Sequence, residues 1–181
     1  MGKNSSFKFQ NRAFSLTQFP QDLKNSLINE LEFFFGNDKL RINHAKRVLD
    51  FAEKLLKYEG GNPRIVIPTA IFHDVGIKIS EEKYASSAPP LQEKQGPPVT
   101  EKILKKYYFT DEEISNVCEI ISHHHSKRFL KTLEGKIVFD ADWLVNYGDQ
   151  SKLKDREKIK SIINKLFFTN SAKKIAKSLY L

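Results

Sequence analysis

Cysteine, methionine and tryptophan occur once each in 181 residues, and the scarcity of cysteine excludes the most. Cys118 alone cannot close an intramolecular disulfide, and no CxxC pair offers thiolates to zinc. The chain is expected to rely on its core for stability, in a reducing compartment. Long hydrophobic runs are also missing: no stretch approaches the roughly 18 apolar residues of a spanning helix. The opening MGKNSSFKFQNRAF lacks the apolar centre of a signal peptide. A cytoplasmic protein with no membrane association is the expectation. Met1-Gly2 followed by Ser6 matches the loose N-myristoylation pattern, which matters only where the modifying enzyme exists.

Apolar and aromatic residues are plentiful, with a hydrophobic share of 40% that includes 14 Phe and 6 Tyr. A chain of this length buries roughly 70% of its unfolded surface, so one domain with one core is expected. Residues 1–19 read as a polar, basic and mobile segment, and 20–181 as the folded domain. A net charge of +8 and a pI near 9.4 favour anionic partners. The lysines, however, are dispersed as on solvated helix faces. The interleaved basic and aromatic stripe of a strand-binding groove is absent, so nucleic acid is not the expected partner.

The apolar periodicity is helical throughout. Leu23, Leu27, Ile28, Leu31, Phe34 and Phe35 share one face and stop at Gly36-Asn37-Asp38. Ala45, Val48, Leu49, Ala52, Leu55 and Leu56 form a second face, ending at Gly60-Gly61-Asn62-Pro63. Pro68 is read as the first turn of a short buried helix through Phe72. SSAPPLQEKQGPP, from Ser86 to Pro98, holds four prolines and a glycine and is predicted to be a loop. Thr110 and Glu113 form a capping box that opens a helix predicted to run into His123-His124-His125. Val99, Ile103, Leu104 and Tyr107 make a further helical face before that capping box, and Ile137–Tyr147, Ile159–Phe168 and Ala172–Leu179 complete the set. An all-α domain of roughly seven to nine helices follows.

All five histidines lie within or beside these apolar segments. His44 shares a face with Val48, Ala52 and Leu55, and so needs a polar partner in apolar surroundings. His73-Asp74 closes the run Ala70-Ile71-Phe72, where either group left unpaired would cost about 1–3 kcal/mol or more. A divalent cation accommodates both. A second carboxylate comes from Asp140-Ala141-Asp142; helical spacing aligns Asp142 with Val138 and Val145 and mildly favours it over Asp140.

In order and approximate spacing, His44, His73-Asp74 and Asp142 resemble the H…HD…D pattern of the HD-domain metal-dependent phosphohydrolase superfamily. HAKRV, AIFHDVGIK and DADWLVNYG look like the segments that carry its ligands, and the resemblance covers about Asn43 to Gly148. GPPVTEKIL and IISHHHS are similar to a bacterial HD-hydrolase subgroup. The resemblance implies that His44, His73, Asp74 and Asp142 hold one divalent ion, with Asp74 also near the attacking water. This donor set suits manganese, iron, cobalt, nickel, zinc or magnesium without choosing among them.

If the helix runs through these histidines, His125 falls at the centre of its apolar face, His124 at the edge and His123 on the opposite side; His124 and His125 are expected to contact phosphate or donate a proton. Dinuclear relatives also use a histidine in the preceding loop; LQEKQGPP has none, so a second metal is disfavoured. Lys78 resembles the basic residue that follows the HD pair in several subgroups, and it and Arg47, one turn after His44, are candidate phosphate contacts. The function expected is hydrolysis of a phosphomonoester or phosphodiester in a small, nucleotide-like molecule. The rival is a regulatory module that binds metal or nucleotide without turnover.

Overall fold

Leu27, Leu31 and Phe35, one turn apart, form the buried stripe of α1 (Gln21–Phe35), which ends where Gly36 takes a left-handed φ of 59°. The computed structural model describes residues 19–150 and 155–181. Most of the expected N-terminal segment, including Gly2, lies outside the described residues. Asp38 caps α2 (Lys39–Glu59) by accepting from Arg41 N, and Ile42, Ala45, Val48, Leu49, Ala52 and Leu55 fill its buried face. No strand occurs among the described residues, and no helix there is long and apolar enough to cross a membrane.

The central helix is longer than its sequence suggested. α3 (Pro63–Phe72) begins five residues before Pro68, with Asn62 as its cap and Pro63 in its first turn; Pro68 lies inside it. An interior proline removes one hydrogen bond and costs about 3 kcal/mol in an isolated helix. Here every residue from Ile65 to Phe72 is buried, and α3 packs against α1, α2, α6 (Asp111–Ile121) and α7 (Leu133–Gln150). Packing on all sides outweighs the local penalty.

The predicted proline loop is also mostly helix. α4 (Gly76–Tyr84) is followed by α5 (Pro89–Leu104), which contains Pro97 and Pro98. Pro89 and Pro90 sit in the first turn, where no N–H is needed. The rest of α5 is held by a close crossing: a Cβ on Gly76 would collide with the Gln92 carbonyl and would lie 2.8 Å from Gly96 N. Gly76 thus lets α4 and α5 approach backbone to backbone, and Gly96 leaves room for Ile121 of α6, which a Cβ there would meet at 2.8 Å.

The Thr110–Glu113 capping box forms as expected. The helix it opens, α6, stops at Ile121, so the three histidines occupy the turn that follows rather than a helix face. A short 3-10 turn at Lys127–Phe129 leads to α7, and α8 (Arg156–Leu166) and α9 (Asn170–Tyr180) close the chain.

Candidate metal centre

Three helices deliver the candidate ligands. α2 contributes His44 from the edge of its buried face, the C-terminal end of α3 contributes His73 and Asp74, and α7 contributes Asp142. α7 packs against both α2 and α3, which brings residues almost a hundred positions apart together. His44 Nε2 lies 3.1 Å from Asp142 Oδ1, 3.3 Å from His73 Nε2 and 3.5 Å from Asp74 Oδ2. His73 Nε2 lies 3.4 Å from Asp74 Oδ2 and 3.7 Å from Asp142 Oδ1.

The tautomer of His73 tests whether these groups suit a cation. Its Nδ1 is 3.0 Å from the Ala70 carbonyl. A carbonyl only accepts, so Nδ1 carries the hydrogen and Nε2 is the lone-pair nitrogen. That lone pair faces two carboxylate oxygens and another imidazole nitrogen, an arrangement that calls for a positive occupant. Without a metal, a proton fills the role: burial works against a charged His73, but the Asp74 charge and the Asp142 hydrogen bond hold its pKa well above the usual value. Burial likewise opposes ionised Asp74, yet the His73 charge and the His124 contact hold it well below the usual carboxylate range. Asp142 is driven low in the same way, by His44 and His73 against the effect of burial. Two imidazole nitrogens and two ionised carboxylates fit a divalent ion, and His73 has the backbone-anchored N–H common among metal-bound histidines.

A second group adjoins the first. Ligand atoms of Asp74, His124 and His125 all lie within 4.8 Å of one another. His124 Nδ1 donates to the Ile121 carbonyl at 2.6 Å, leaving Nε2 buried with no hydrogen bond and 3.5 Å from Asp74 Oδ1. The burial order differs from that expected on a helix face: His124 is buried and His125 exposed. Although part of His125 meets solvent, its ring is crowded; this desolvation, and then neighbouring His124, push its pKa down to about 4. It is neutral near pH 7. His123 turns away and packs on Phe129, with ring centres 5.1 Å apart.

The two aspartates of α7 have different surroundings. Asp140 is fully buried and accepts from Phe168 N at 2.8 Å and Thr169 N at 2.7 Å, where the chain enters α9. Asp142 faces the histidines. Lys78 donates to the Phe34 carbonyl at 2.6 Å and sits over that ring, so its ammonium is engaged at the end of α1. Arg47 is exposed, one turn on from His44.

Sequence reasoning missed three residues. Asn146 donates to Asp142 Oδ1 at 2.8 Å; its i+4 spacing from Asp142 was a readable signal. Gln92 and Glu93 contact His125 at 3.1 and 3.0 Å, but both lay in the stretch read as a loop.

A family model described as HD domain matches residues 41–147. Among solved structures, the chain is similar to a predicted HD superfamily hydrolase from an uncultured Thermotogales bacterium, at 23% identity and TM-score 0.66 over 86% of this chain and 84% of that one. It is also similar to an HD-superfamily hydrolase from Bacillus thuringiensis, at 22% identity and TM-score 0.60 over 87% and 89% of the two chains. At these identities the likeness concerns the fold. The search of curated proteins finds no match.

Proposed function

The chain belongs to the HD domain family, and from that premise we propose that it is a metal-dependent hydrolase of a phosphomonoester or phosphodiester bond in a small, nucleotide-like substrate. The observation that carries the reading is the convergence of buried His73 and Asp142 with half-buried His44 and Asp74 around an electron-rich centre, with Nε2 of His73 directed into it. These four residues would hold one divalent ion. Such an ion supplies Lewis acidity toward water and the phosphoryl oxygens.

The chain's own groups do the rest. Asp74, reached by histidines on two sides, would accept a hydrogen bond from the attacking water. His125, neutral near pH 7, accepts a proton more readily than it gives one, and His124 presents a buried ring nitrogen beside Asp74. Arg47 and Lys78 are the cationic candidates for the substrate phosphate; Lys78 would exchange the Phe34 carbonyl for it. A basic chain of net charge +8 suits an anionic substrate.

A second reading, a dinuclear centre, is favoured by Asp74, which joins both groups of potential ligands. Changing His124 and His125 together to Gln separates the two. With one ion, turnover falls by roughly 10²–10⁴ while metal content stays near one per chain; with two ions, metal content and rate fall together. The main test incubates metal-stripped protein with each divalent ion and a panel of nucleotides and model phosphodiesters. Metal-dependent release of phosphate or alcohol is expected. Metal uptake without cleavage of any substrate would instead support the regulatory module.

A further inference from the structure

Gln92 is 6% exposed on α5 and has both ends of its amide engaged. Its Nε2 donates to the Ser87 carbonyl, so Oε1 is the end turned toward His125 Nε2, 3.1 Å away. An amide oxygen only accepts, so Nε2 of His125 carries a hydrogen, and in the neutral ring the lone pair lies on Nδ1. The neighbouring residue secures the backbone: Glu93 Oε1 accepts from His125 N at 3.0 Å, and Ser126 Oγ lies 3.4 Å from Glu93 Oε2. α5 is itself held against the turn that follows His73-Asp74 by the Gly76–Gly96 crossing. His124 has the opposite arrangement, with its hydrogen on Nδ1 toward Ile121.

We propose that Gln92 is a positioning residue that fixes the His125 ring hydrogen on Nε2 and leaves Nδ1 as the acceptor turned to substrate or water. The inference rests on the reading that His125 takes part in the reaction. Its physical core is the asymmetry of the amide. Because the Ser87 carbonyl can only accept, Gln92 cannot rotate to offer its donor to His125 without losing that bond. A proton on the wrong nitrogen of a histidine that must accept is expensive in rate even when the geometry is preserved.

The test uses uniformly 15N-labelled full-length protein loaded with magnesium or zinc, both diamagnetic, and reads the His125 ring nitrogens by NMR. The wild-type ring is expected to be neutral, with a slowly exchanging hydrogen on Nε2. In Gln92→Leu that hydrogen should exchange at least about tenfold faster, and kcat on a model phosphodiester should fall roughly 10- to 100-fold with little change in KM. Gln92→Glu gives up the donor to the Ser87 carbonyl but keeps an acceptor facing His125, and should retain the protected Nε2 hydrogen. A wild-type hydrogen on Nδ1, or equal protection in wild type and Gln92→Leu, overturns the proposal. Should Gln92→Leu fail to fold, the wild-type tautomer and the Gln92→Glu spectrum decide it. Absence of cleavage of every phosphoester would count against the proposed function, while the ring-hydrogen measurement would still decide the role of Gln92.

Discussion

Two aspartates on one helix, separated only by Ala141, do unrelated work. Asp140 is the more deeply buried and accepts from two backbone N–H groups, with the Thr169 side chain also beside it, so it ties α7 to the start of α9. Burial raises its pKa, and the hydrogen bonds from Phe168 and Thr169 only partly offset this. Asp142 is met by imidazoles and by Asn146, and its pKa moves the other way. A buried carboxylate signals function only through the partners around it. Backbone amides that donate to a buried carboxylate mark a structural anchor; lone-pair nitrogens that crowd one mark a place for a cation.

The strongest test of this contrast removes the centre on the Asp142 side. His73→Ala or Asp74→Ala is expected to bring metal content from about one ion per chain to nearly none by elemental analysis. Full occupancy in both variants would dissolve the comparison. Next is the aspartate pair itself. Asp142→Asn should lose most metal affinity and activity. Asp140→Asn should keep metal but lose about 1–3 kcal/mol of stability, because its new amide nitrogen would face a backbone donor. Denaturant melts and metal titrations on both variants give the four numbers needed, and equal metal loss in the two would contradict the distinction.

A smaller effect is expected from Asn146→Ala, which removes a hydrogen bond to Asp142 without touching the other three candidate ligands. Metal affinity should weaken by about 10- to 100-fold, with unfolding little changed. An unaltered affinity would show that Asp142 needs no support from its own helix.

The subtlest effect is on the pH dependence of the metal-free protein. Asp74 and Asp142 have lowered pKa values, so their contribution is complete above the unfolded carboxylate value and is lost as pH falls below it through the lower folded values. His73 has a raised pKa, so its contribution is complete below the unfolded histidine value and is lost as pH rises toward the folded one. Stability of the apo form should therefore peak between about pH 4 and 6.5. Metal should extend it to higher pH by replacing the His73 proton. A melting temperature of the apo form that keeps rising above neutrality would count against a proton held among these four groups.

Much of this molecule was legible in one dimension. The helical period of Leu27, Leu31 and Phe35, or of Val48, Ala52 and Leu55, is a local property that burial rewards in any all-α arrangement, so the fold class could be read directly. The polar interruptions at His44, His73-Asp74 and Asp142 were conspicuous because a polar group on an apolar face needs a partner wherever it ends up. Placement within packed surroundings was not legible. Pro68, Pro97 and Pro98 are helix breakers by local rules and sit inside helices because close packing, including the Gly76–Gly96 contact, supplies more than each missing hydrogen bond costs. The α6 boundary at Ile121, the reversed burial of His124 and His125, and the clasp of Gln92 and Glu93 on that turn all depend on α5 crossing beside it. Periodicity records which residues seek the interior; only the three-dimensional meeting of distant helices determines which donors and lone pairs they find there.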